Sequence, residues 1–474
     1  MTNKKHTIHT NVTRISDFHR KQLAHKPKAT RCFIYSAFVV QKLTIRKMTA
    51  VHCFLLIAFV FYICSQSANA QYLLQEVLPI GVHDKNVKRL SQAVYLFSTD
   101  LYLKIIESNR EENVFFSPAS FYVALAMLYA GSGGETKTQL ASALHLHFFE
   151  SDEEGFYKSI KLLHERLSIT KENYTLKMAN RLFGRKGLPI KDEYLRRTEE
   201  NFGAKLEALD FAKDPSGSRS KINNWVSEMT SKKIKELFPD GSITSGTVLA
   251  IANAVYFNGS WMYRFNKKMT KPHTFYESIN RTIQVPMMHL LQSKGLRYSS
   301  SKYGFKLLEL PYSDEDVSTI IAMDERKEGK PNFNMLLTAS VAANSWKQLS
   351  DVRTNIAVQV SLPKFSLQKT LDLKNSLSAL GIKNLFGSAN LSGISDSRPL
   401  ELSKAIHKAY ITVDEEGTKA TAATGLNIKT KSLPSSKTEI IDFVVDRPFL
   451  MIVIDKRTEC FLFFGHIQNP LKAN

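Results

Sequence analysis

Cysteine is scarce in this chain, which has four in 474 residues. Three of them, Cys32, Cys53 and Cys64, precede residue 71, so only Cys460 remains in the rest of the sequence. A single cysteine cannot form an internal disulfide, and we expect the folded part to be stabilised by packing. Cys460 stands in an apolar stretch and is expected to be a small buried side chain. A bond to another chain is the alternative.

Motifs that identify enzymes and metal sites are also missing. The sequence contains no G-x-S-x-G, no H-E-x-x-H and no cysteine pair with zinc spacing, which are common signatures of hydrolases, metalloproteases and zinc modules. The glycine-rich stretch that begins at Gly131 follows a predicted helix, and Thr136 stands where a phosphate loop needs glycine. No motif therefore argues for an enzyme, a metal site or a nucleotide cofactor, and a hydrolase with a scattered triad is the alternative.

The apolar run at residues 53–64 is too short to cross a membrane. It has twelve residues, whereas a membrane-spanning helix needs roughly 20. Ala68-Asn-Ala70 follows it as a small-x-small cleavage pattern, and Met48 precedes it. We predict a secretory signal peptide at residues 48–70 and an extracellular protein without a membrane segment after cleavage. A short uncleaved anchor is the alternative.

Acidic residues are outnumbered, with 44 Asp and Glu against 64 Lys and Arg and a net charge of +20. Residues 1–47 carry eleven of the basic residues and one acidic residue, Asp17, so half of the excess lies there. We interpret residues 1–47 as an upstream extension absent from the mature protein, and residues 71–474 as the mature domain. Nucleic acid is not an expected partner of a secreted chain.

Four N-glycosylation sequons follow the predicted signal. They begin at Asn173, Asn258, Asn280 and Asn390, and each has Ser or Thr two residues later. Such sequons are acceptors for N-linked sugars in exported proteins. We therefore predict a glycoprotein.

Hydrophobic spacing indicates a mixture of helices and strands in no strict βαβ order. Apolar residues recur at helical spacing over residues 90–106 and 119–130. Residues 248–257 form an almost unbroken apolar run that is typical of a central strand covered on both faces. Asn253 within that run must find partners, since an unpaired buried amide costs about 1–3 kcal/mol. We predict one α+β domain that closes with a hairpin at residues 449–464.

The segment from Asp414 to Ser432 combines a strand pattern with a loop composition. With a period of two, one face is small or apolar and the other is mostly polar. Its Ala, Thr and Gly are not the bulky residues of stable strands, and Gly417 has the backbone freedom of a hinge. An ordinary inserted strand followed by a surface loop is the alternative. The apolar face consists of Thr418, Ala420, Ala422, Thr424, Leu426 and Ile428.

Collinear sequence blocks resemble those of the serpins over residues 90–470. They are Asn113-Val-Phe-Phe-Ser-Pro-Ala-Ser120, Ile222-Asn-Asn-Trp-Val226, Asn253-Ala-Val-Tyr-Phe-Asn-Gly-Ser-Trp261, Leu310-Pro-Tyr312, Leu362-Pro-Lys-Phe365, His407-Lys-Ala409, Asp414-Glu-Glu-Gly-Thr418, Arg447-Pro-Phe449, Phe464-Gly465 and Asn469-Pro470. The resemblance implies a single domain with three β-sheets, about nine helices and an exposed reactive-centre loop at about residues 415–445.

The resemblance also implies inhibition by a covalent trap. A target protease attacks the loop and forms an acyl-enzyme, and the cut loop then inserts into the main sheet as an extra strand. The hinge residues that match are Glu415, Glu416, Gly417, Thr418, Ala420, Ala422 and Ala423. None of the residues on the inserting face carries a charge, so burial would not stall entry.

The scissile bond in serpins usually lies fourteen residues past the hinge glycine. Counting from Gly417 gives Lys431 followed by Ser432, whereas counting back from Pro448 favours Lys437 and Thr438. Both alternatives place Lys before the bond, which implies a trypsin-like serine protease with an acid in its specificity pocket. The partner is thus expected to be such a protease, bound covalently by a monomeric inhibitor.

Further site residues follow from the same resemblance. Ser117, Ser120, Asn253 and His407 match a hydrogen-bonded cluster beneath the place where the main sheet parts. Lys364 and Glu415 match an ion pair at the top of that opening. The helix at residues 157–167, where some serpins bind sulfated polysaccharide, mixes basic residues with Glu165, so glycosaminoglycan is only an optional cofactor.

Two functions are compatible with these observations. The first is a secreted inhibitor that limits an extracellular proteolytic cascade, such as coagulation, melanisation or innate immunity. The second is a non-inhibitory relative that acts as a carrier, storage protein or chaperone and never inserts its loop. The small, uncharged inserting face favours the first.

Overall fold

The structure, a computed structural model, describes most of residues 85–472. These residues all belong to one compact unit, Pro79–Asn474. The predicted extension and signal peptide lie outside them. The ranges that are not described are 1–84, 108–110, 151, 169–170, 172–173, 205, 279, 293–295, 302–304, 325–356, 398–399, 418–439 and 473–474.

Seven α-helices occur among the described residues, where the resemblance implies about nine in the whole domain. The second begins at Pro118, with Ser117 as its N-cap, and ends at Ala130 before Gly131. The helices are α1 (Lys85–Ile106), α2 (Pro118–Ala130), α3 (Gly134–Ala143), α4 (Glu153–Leu167), α5 (Asp192–Phe202), α6 (Pro215–Met229) and α7 (Lys374–Ala379).

Fifteen strands are described. They are β1 (Val114–Phe116), β2 (Tyr174–Arg185), β3 (Glu207–Leu209), β4 (Leu249–Gly259), β5 (Lys271–Ser278), β6 (Arg281–Gln292), β7 (Arg297–Ser301), β8 (Phe305–Pro311), β9 (Val317–Asp324), β10 (Ala357–Pro363), β11 (Phe365–Asp372), β12 (Leu402–Val413), β13 (Ile440–Val444), β14 (Phe449–Asp455) and β15 (Cys460–Ile467).

The strands form three sheets, as the resemblance implies. The main sheet has five strands in the order β11-β12-β4-β2-β3. A six-stranded sheet has the order β1-β15-β14-β9-β8-β7, and a four-stranded sheet has the order β13-β10-β6-β5. The closing hairpin predicted from the sequence is β14 and β15, and Cys460 at the start of β15 is fully buried as a free thiol. The α+β class is confirmed.

Strand β4 lies between two layers of hydrophobic side chains. Ile251 and Val255 on one face belong to the main core. Ala252 and Ala254 on the other belong to a second cluster, which packs the main sheet against residues of α6 such as Ile222. Burial on both faces explains why the sequence of this strand lacks polar alternation.

Candidate functional site

The centre of the main sheet contains a parallel strand pair. Strands β4 and β12 are direct neighbours and pair in parallel from Leu249 with Leu402 to Phe257 with Ile411. The outer partner of each is antiparallel: β2 beside β4, and β11 beside β12. We call the boundary between β4 and β12 the seam. A strand entering the seam antiparallel to both would be antiparallel to all of its neighbours.

The predicted polar cluster lies at the middle of the seam. His407 and Asn253 face each other in register, and both are completely buried. The His407 Nδ1 is hydrogen-bonded to the Asn253 Oδ1. The Ser117 backbone N–H donates to the His407 Nε2 at 2.9 Å, and the Asn253 Nδ2 donates to the Ser120 Oγ at 2.7 Å. The prediction that these four residues meet is confirmed.

The hydrogen bonds determine the protonation state of His407. Because the Nε2 accepts a hydrogen bond from the Ser117 backbone N–H, the Nδ1 carries the ring hydrogen and donates a hydrogen bond to the Asn253 Oδ1. Burial lowers the pKa of His407 to about 3, so the imidazole is neutral near pH 7. Both ring nitrogens are thus satisfied without a charge.

Asn180 joins this cluster and was not predicted from the sequence. It pairs in register with Asn253 from the neighbouring strand β2, and its Nδ2 donates to the Ser120 carbonyl at 3.4 Å. Its Oδ1 is buried and has no hydrogen-bond partner among the described residues. The strand also contains Lys177 and Arg181, so a single amide there gave no clear signal of a buried polar site.

A second polar site closes the seam at the end of β12. Glu415 is buried, and the Lys364 Nζ donates to its Oε2 at 2.7 Å. The Thr270 hydroxyl donates to the other carboxylate oxygen at 2.8 Å. Burial raises the pKa of Glu415, but the hydrogen bonds from Lys364 and Thr270 outweigh it and leave that pKa below its usual value. The predicted Lys364–Glu415 ion pair is confirmed, and Thr270 is an additional member.

Backbone N–H groups of the segment after β4 donate hydrogen bonds to the residues that follow β12. The Trp261 N–H donates to the Glu416 carbonyl at 2.9 Å, and the Phe265 N–H donates to the Glu415 carbonyl at 2.8 Å. The Trp261 indole N–H donates to the Asp414 carbonyl at 3.0 Å. Lys267 forms an ion pair with Glu416. Two of the predicted hinge residues, Glu415 and Glu416, are therefore bonded to the segment after β4 in this structure.

Stacked aromatic rings pack against each other at the start of this segment. The Trp261 ring stacks on Tyr312 with centroids 4.5 Å apart and planes 14° apart. The Tyr312 hydroxyl is hydrogen-bonded to the Thr319 hydroxyl at 2.9 Å. Trp261 is almost fully buried, which agrees with the packing role expected from the sequence.

Gly417 turns the chain back along β4. A reverse turn at residues 414–417 is closed by the Asp414 N–H donating to the Gly417 carbonyl at 2.9 Å. Gly417 has φ +131° and forms an isolated antiparallel bridge with Ser260. A Cβ at this position would lie 2.0 Å from the Gly259 carbonyl oxygen, so only glycine fits. The need for glycine at this turn is therefore steric, and the hinge role of Gly417 stays a prediction.

The remaining predicted loop residues lie outside the described range. They are Thr418, Ala420, Ala422, Ala423, Lys431, Ser432, Lys437 and Thr438. Their roles stay predictions.

The sequons differ in their surroundings. Asn280 is exposed in the turn between β5 and β6, whereas Asn258 is half-buried on β4 and its Oδ1 is enclosed. Asn390 is also half-buried, and its Oδ1 accepts from the Ser392 N–H at 3.2 Å. Asn173 lies outside the described residues. Glycosylation stays a prediction at all four.

Other candidate chemistry is absent from the described part of the chain. Within it, no group of three or more His, Cys, Asp or Glu side chains is arranged to hold a metal ion. No described helix combines the length and hydrophobicity needed to span a membrane. On α4, Lys158 is paired with Glu154 at 2.6 Å, so part of that helix's positive charge is already neutralised.

Comparisons with known proteins agree with this architecture. The sequence model of the family described as serpin (serine protease inhibitor) matches residues 92–470. The chain belongs to the serpin family. Human Serpin B4 is 35% identical over 395 residues, which cover 80% of this serpin and 99% of that protein. The leukocyte elastase inhibitor of Bos taurus is 35% identical over 390 residues, covering 81% and 100%.

A solved structure gives the same result for the fold of this serpin. Uncleaved ovalbumin superposes with a TM-score of 0.71 at 26% identity, covering 80% of this chain and all of that one. The family is one of protease inhibitors rather than enzymes, and one of the relatives is named for the elastase that it inhibits.

Proposed function

We propose that this serpin is a secreted inhibitor that traps trypsin-like serine proteases covalently and inserts its cleaved loop into the seam. The observation that carries the proposal is the geometry at Gly417. The chain leaves β12 at the end of the seam, reverses, and already bridges Ser260 in the antiparallel direction. At Gly417 the chain therefore already has the direction that an inserted strand requires.

The chemistry of the trap follows from the predicted bond. The protease serine Oγ attacks the Lys431 carbonyl and forms an ester with it, while the Ser432 nitrogen leaves as a new amine that takes the proton from the protease histidine. Insertion then moves the ester along the sheet. About 15 residues at ~3.3 Å each correspond to ~50 Å of travel, which separates the enzyme from the leaving segment.

The sheet topology supplies a driving force for insertion. The seam holds one parallel ladder, and an inserted strand would replace it by two antiparallel ladders. Antiparallel pairing is slightly more stable per residue, and each added hydrogen bond contributes about 0.5–1.5 kcal/mol net. The alternating small, uncharged face that begins at Thr418 could enter the core beneath the sheet without burying a charge.

The polar cluster supplies the barrier that keeps the intact seam closed. Separating β4 from β12 pulls His407 away from Asn253, and each buried group left unpaired costs about 1–3 kcal/mol. The Lys364–Glu415 ion pair and the backbone hydrogen bond to Glu416 must also break or rearrange. The closed five-stranded sheet is thus a separate state that cleavage of the loop destabilises.

Secretion and target class complete the proposal. The predicted signal peptide at residues 48–70 favours export, and the predicted sequons agree with it. Lys431 and its alternative Lys437 both fit a specificity pocket with an acid at its base.

The proposal is tested by mixing the mature protein, residues 71–474, with trypsin. We expect a complex that survives boiling in detergent and a small released peptide that begins at Ser432, identified by mass spectrometry. Lys431→Ala should abolish the complex. Lys437→Ala is the matched control and should retain it.

One result would count against covalent trapping, and another would count against the assignment of the scissile bond to Lys431. Complete cleavage of the loop without any stable complex would make the protein a substrate or carrier. A released peptide that begins at Thr438 would transfer the scissile bond to Lys437 and leave the target class unchanged.

A further inference from the structure

The chain between β4 and β5 contains a short basic segment. We call residues 264–271 the basic turn, and no acidic residue occurs between residues 261 and 276. The middle of the basic turn, Lys267–Met269, is one turn of 3₁₀-helix. Its basic residues are Arg264, Lys267, Lys268 and Lys271.

Both ends of the basic turn are bonded to one buried residue, Glu415. The Phe265 N–H donates to the Glu415 carbonyl at 2.8 Å, and the Thr270 hydroxyl donates to the Glu415 carboxylate at 2.8 Å. Between these two points the Lys268 N–H donates to the Asn266 Oδ1 at 3.0 Å. The four residues 266–269 are all exposed, so the middle of the basic turn faces outward on a fixed base.

The exposed part of the basic turn combines an apolar side chain with positive charge. Met269 is 50% exposed, although methionine is usually buried in folded proteins. Arg264, Lys268 and Lys271 are exposed as well, and none of these three forms an ion pair with a residue that the structure describes. An apolar group and three uncompensated cations therefore share this surface.

The neighbouring carboxylates do not neutralise these cations. Glu415 is buried and already accepts from Lys364. The Glu416 side chain is 22% exposed and pairs with Lys267, the fourth basic residue of the turn. Both carboxylates are thus committed to other cations and are largely turned away from solvent.

His289 on β6 is affected by the same positive charge. Burial lowers the pKa of His289, and the neighbouring His273 and Lys271 lower it further. The charge of the basic turn therefore extends to the adjoining four-stranded sheet.

An anionic phospholipid surface fits this combination of groups. Lys and Arg are attracted by the negative potential of such a surface, and an exposed apolar side chain gains free energy where hydrocarbon can receive it. A soluble polyanion would use the charges but would leave Met269 in water. Peripheral docking of this kind needs no membrane-spanning segment.

We propose that the basic turn docks this serpin on membranes that contain anionic phospholipid, with Met269 inserted among the headgroups. Because Glu415 and Glu416 bond to the basic turn, the root of the predicted loop would lie beside the membrane. The proposal goes beyond inhibition and does not depend on it.

The charge is tested by sedimenting the mature protein, residues 71–474, with phosphatidylcholine vesicles that contain or lack phosphatidylserine. We expect binding only with phosphatidylserine. Lys268→Gln should weaken the partition coefficient about fivefold, as expected for the loss of one basic residue near an anionic surface. High salt should remove this difference by screening. Lys213→Gln is the matched control, because Lys213 is also exposed but lies before α6.

The apolar contact is tested at Met269. Met269→Ser should weaken the partition coefficient about fivefold at low and at high salt, because the burial of apolar surface is not screened. Leu471→Ser is the matched control, since Leu471 is 54% exposed but lies near the C-terminus. In Met269→Trp, added vesicles with phosphatidylserine should shift the fluorescence of the new indole to shorter wavelength.

Three results would overturn the docking proposal. They are unchanged partitioning of both Met269→Ser and Lys268→Gln, equal binding to vesicles with and without phosphatidylserine, and binding to a soluble heparin fragment that Met269→Ser leaves unaltered while vesicles are not bound. The last result would identify a site for soluble polyanions. None of these measurements involves a protease, so failure to trap trypsin would refute the proposed function and leave the docking proposal standing.

Discussion

At the residue scale, the site depends on the hydrogen bonds that satisfy the buried side chains of His407 and Asn253. His407 and Asn253 are fully buried, and their hydrogen bonds run to Ser117 and Ser120 at the start of α2. The arrangement needs a neutral imidazole with one donor and one acceptor nitrogen. The same requirement makes the cluster sensitive to acid.

Acidification should therefore loosen the closed sheet. Burial lowers the pKa of His407 from 6.5 to about 3 in the folded protein. Its contribution is present in full above pH 6.5 and is lost as pH falls toward 3, at up to about 1.4 kcal/mol per pH unit. Denaturant unfolding between pH 7 and pH 4 should show this slope. His466, whose pKa burial lowers to about 4, adds to it.

The control separates His407 from general acid effects. His407→Gln should flatten the slope between pH 6.5 and pH 4, whereas His273→Gln, on the four-stranded sheet, should leave it unchanged. An equally steep slope in His407→Gln would show that other groups cause the pH dependence.

At the element scale, the turn at residues 414–417 is the part that the proposed insertion would have to release. Its Asp414 and Gly417 bond to each other, while Glu415 and Glu416 are held by the segment after β4. The turn thus fixes the direction of the chain at the seam, and the residues after it decide whether entry is possible.

Gly417→Ala should destabilise the protein strongly. Alanine would need φ +131° and would place its Cβ 2.0 Å from the Gly259 carbonyl oxygen, so strain of at least about 1–3 kcal/mol is expected. Thermal unfolding measures the loss. Gly246→Ala is the matched control, since a Cβ there meets only the Thr244 hydroxyl at 3.6 Å and the backbone is not in the left-handed region. Equal melting temperatures for the two variants would refute the steric account.

Thr418→Arg should convert the inhibitor into a substrate. The change places a charge on the first inward position of the inserting strand, and burying an unpaired charge is prohibitive. The measurement is the number of inhibitor molecules cleaved per trypsin trapped, which should rise at least tenfold. Lys419→Arg, on the opposite face, should leave this ratio unchanged. Efficient trapping by Thr418→Arg would show that the face assignment is wrong.

At the scale of the whole molecule, the parallel β4–β12 pair has an antiparallel partner on each outer side, so a strand admitted between the two would pair antiparallel with both. All three sheets and the closed seam are present in the described chain with β4 directly against β12. On the proposed mechanism, the seam gains ladder hydrogen bonds by admitting one more strand.

Cleavage of the loop should raise the melting temperature markedly. About 15 new ladder hydrogen bonds at ~1 kcal/mol each, with an unfolding entropy of ~0.8 kcal/mol/K for roughly 390 residues, correspond to a rise of roughly 20 °C. Calorimetry before and after limited proteolysis measures it. Cleaved Thr418→Arg should show no comparable rise. An unchanged melting temperature in the cleaved wild type would identify a carrier whose loop never inserts.

Local sequence patterns were sufficient to predict several elements of this protein. The apolar run around Asn253, the closing hairpin, and the alternation after Gly417 follow from spacing alone, because burial on one or both faces of a strand leaves a period in the sequence. Collinear blocks extended this to the family, to the Lys364–Glu415 pair and to the polar cluster. The export and glycosylation predictions also rest on sequence alone.

Only the tertiary structure determined which strands and which side chains are neighbours. Nothing in the sequence shows that β4 and β12, about 150 residues apart, are parallel neighbours, or that Asn180 and Thr270 complete the two polar sites. Pairing between distant strands is determined by the packing of the entire core, which leaves no local period. The steric need for glycine at residue 417 likewise arises from the Gly259 carbonyl, a neighbour that only the folded chain supplies.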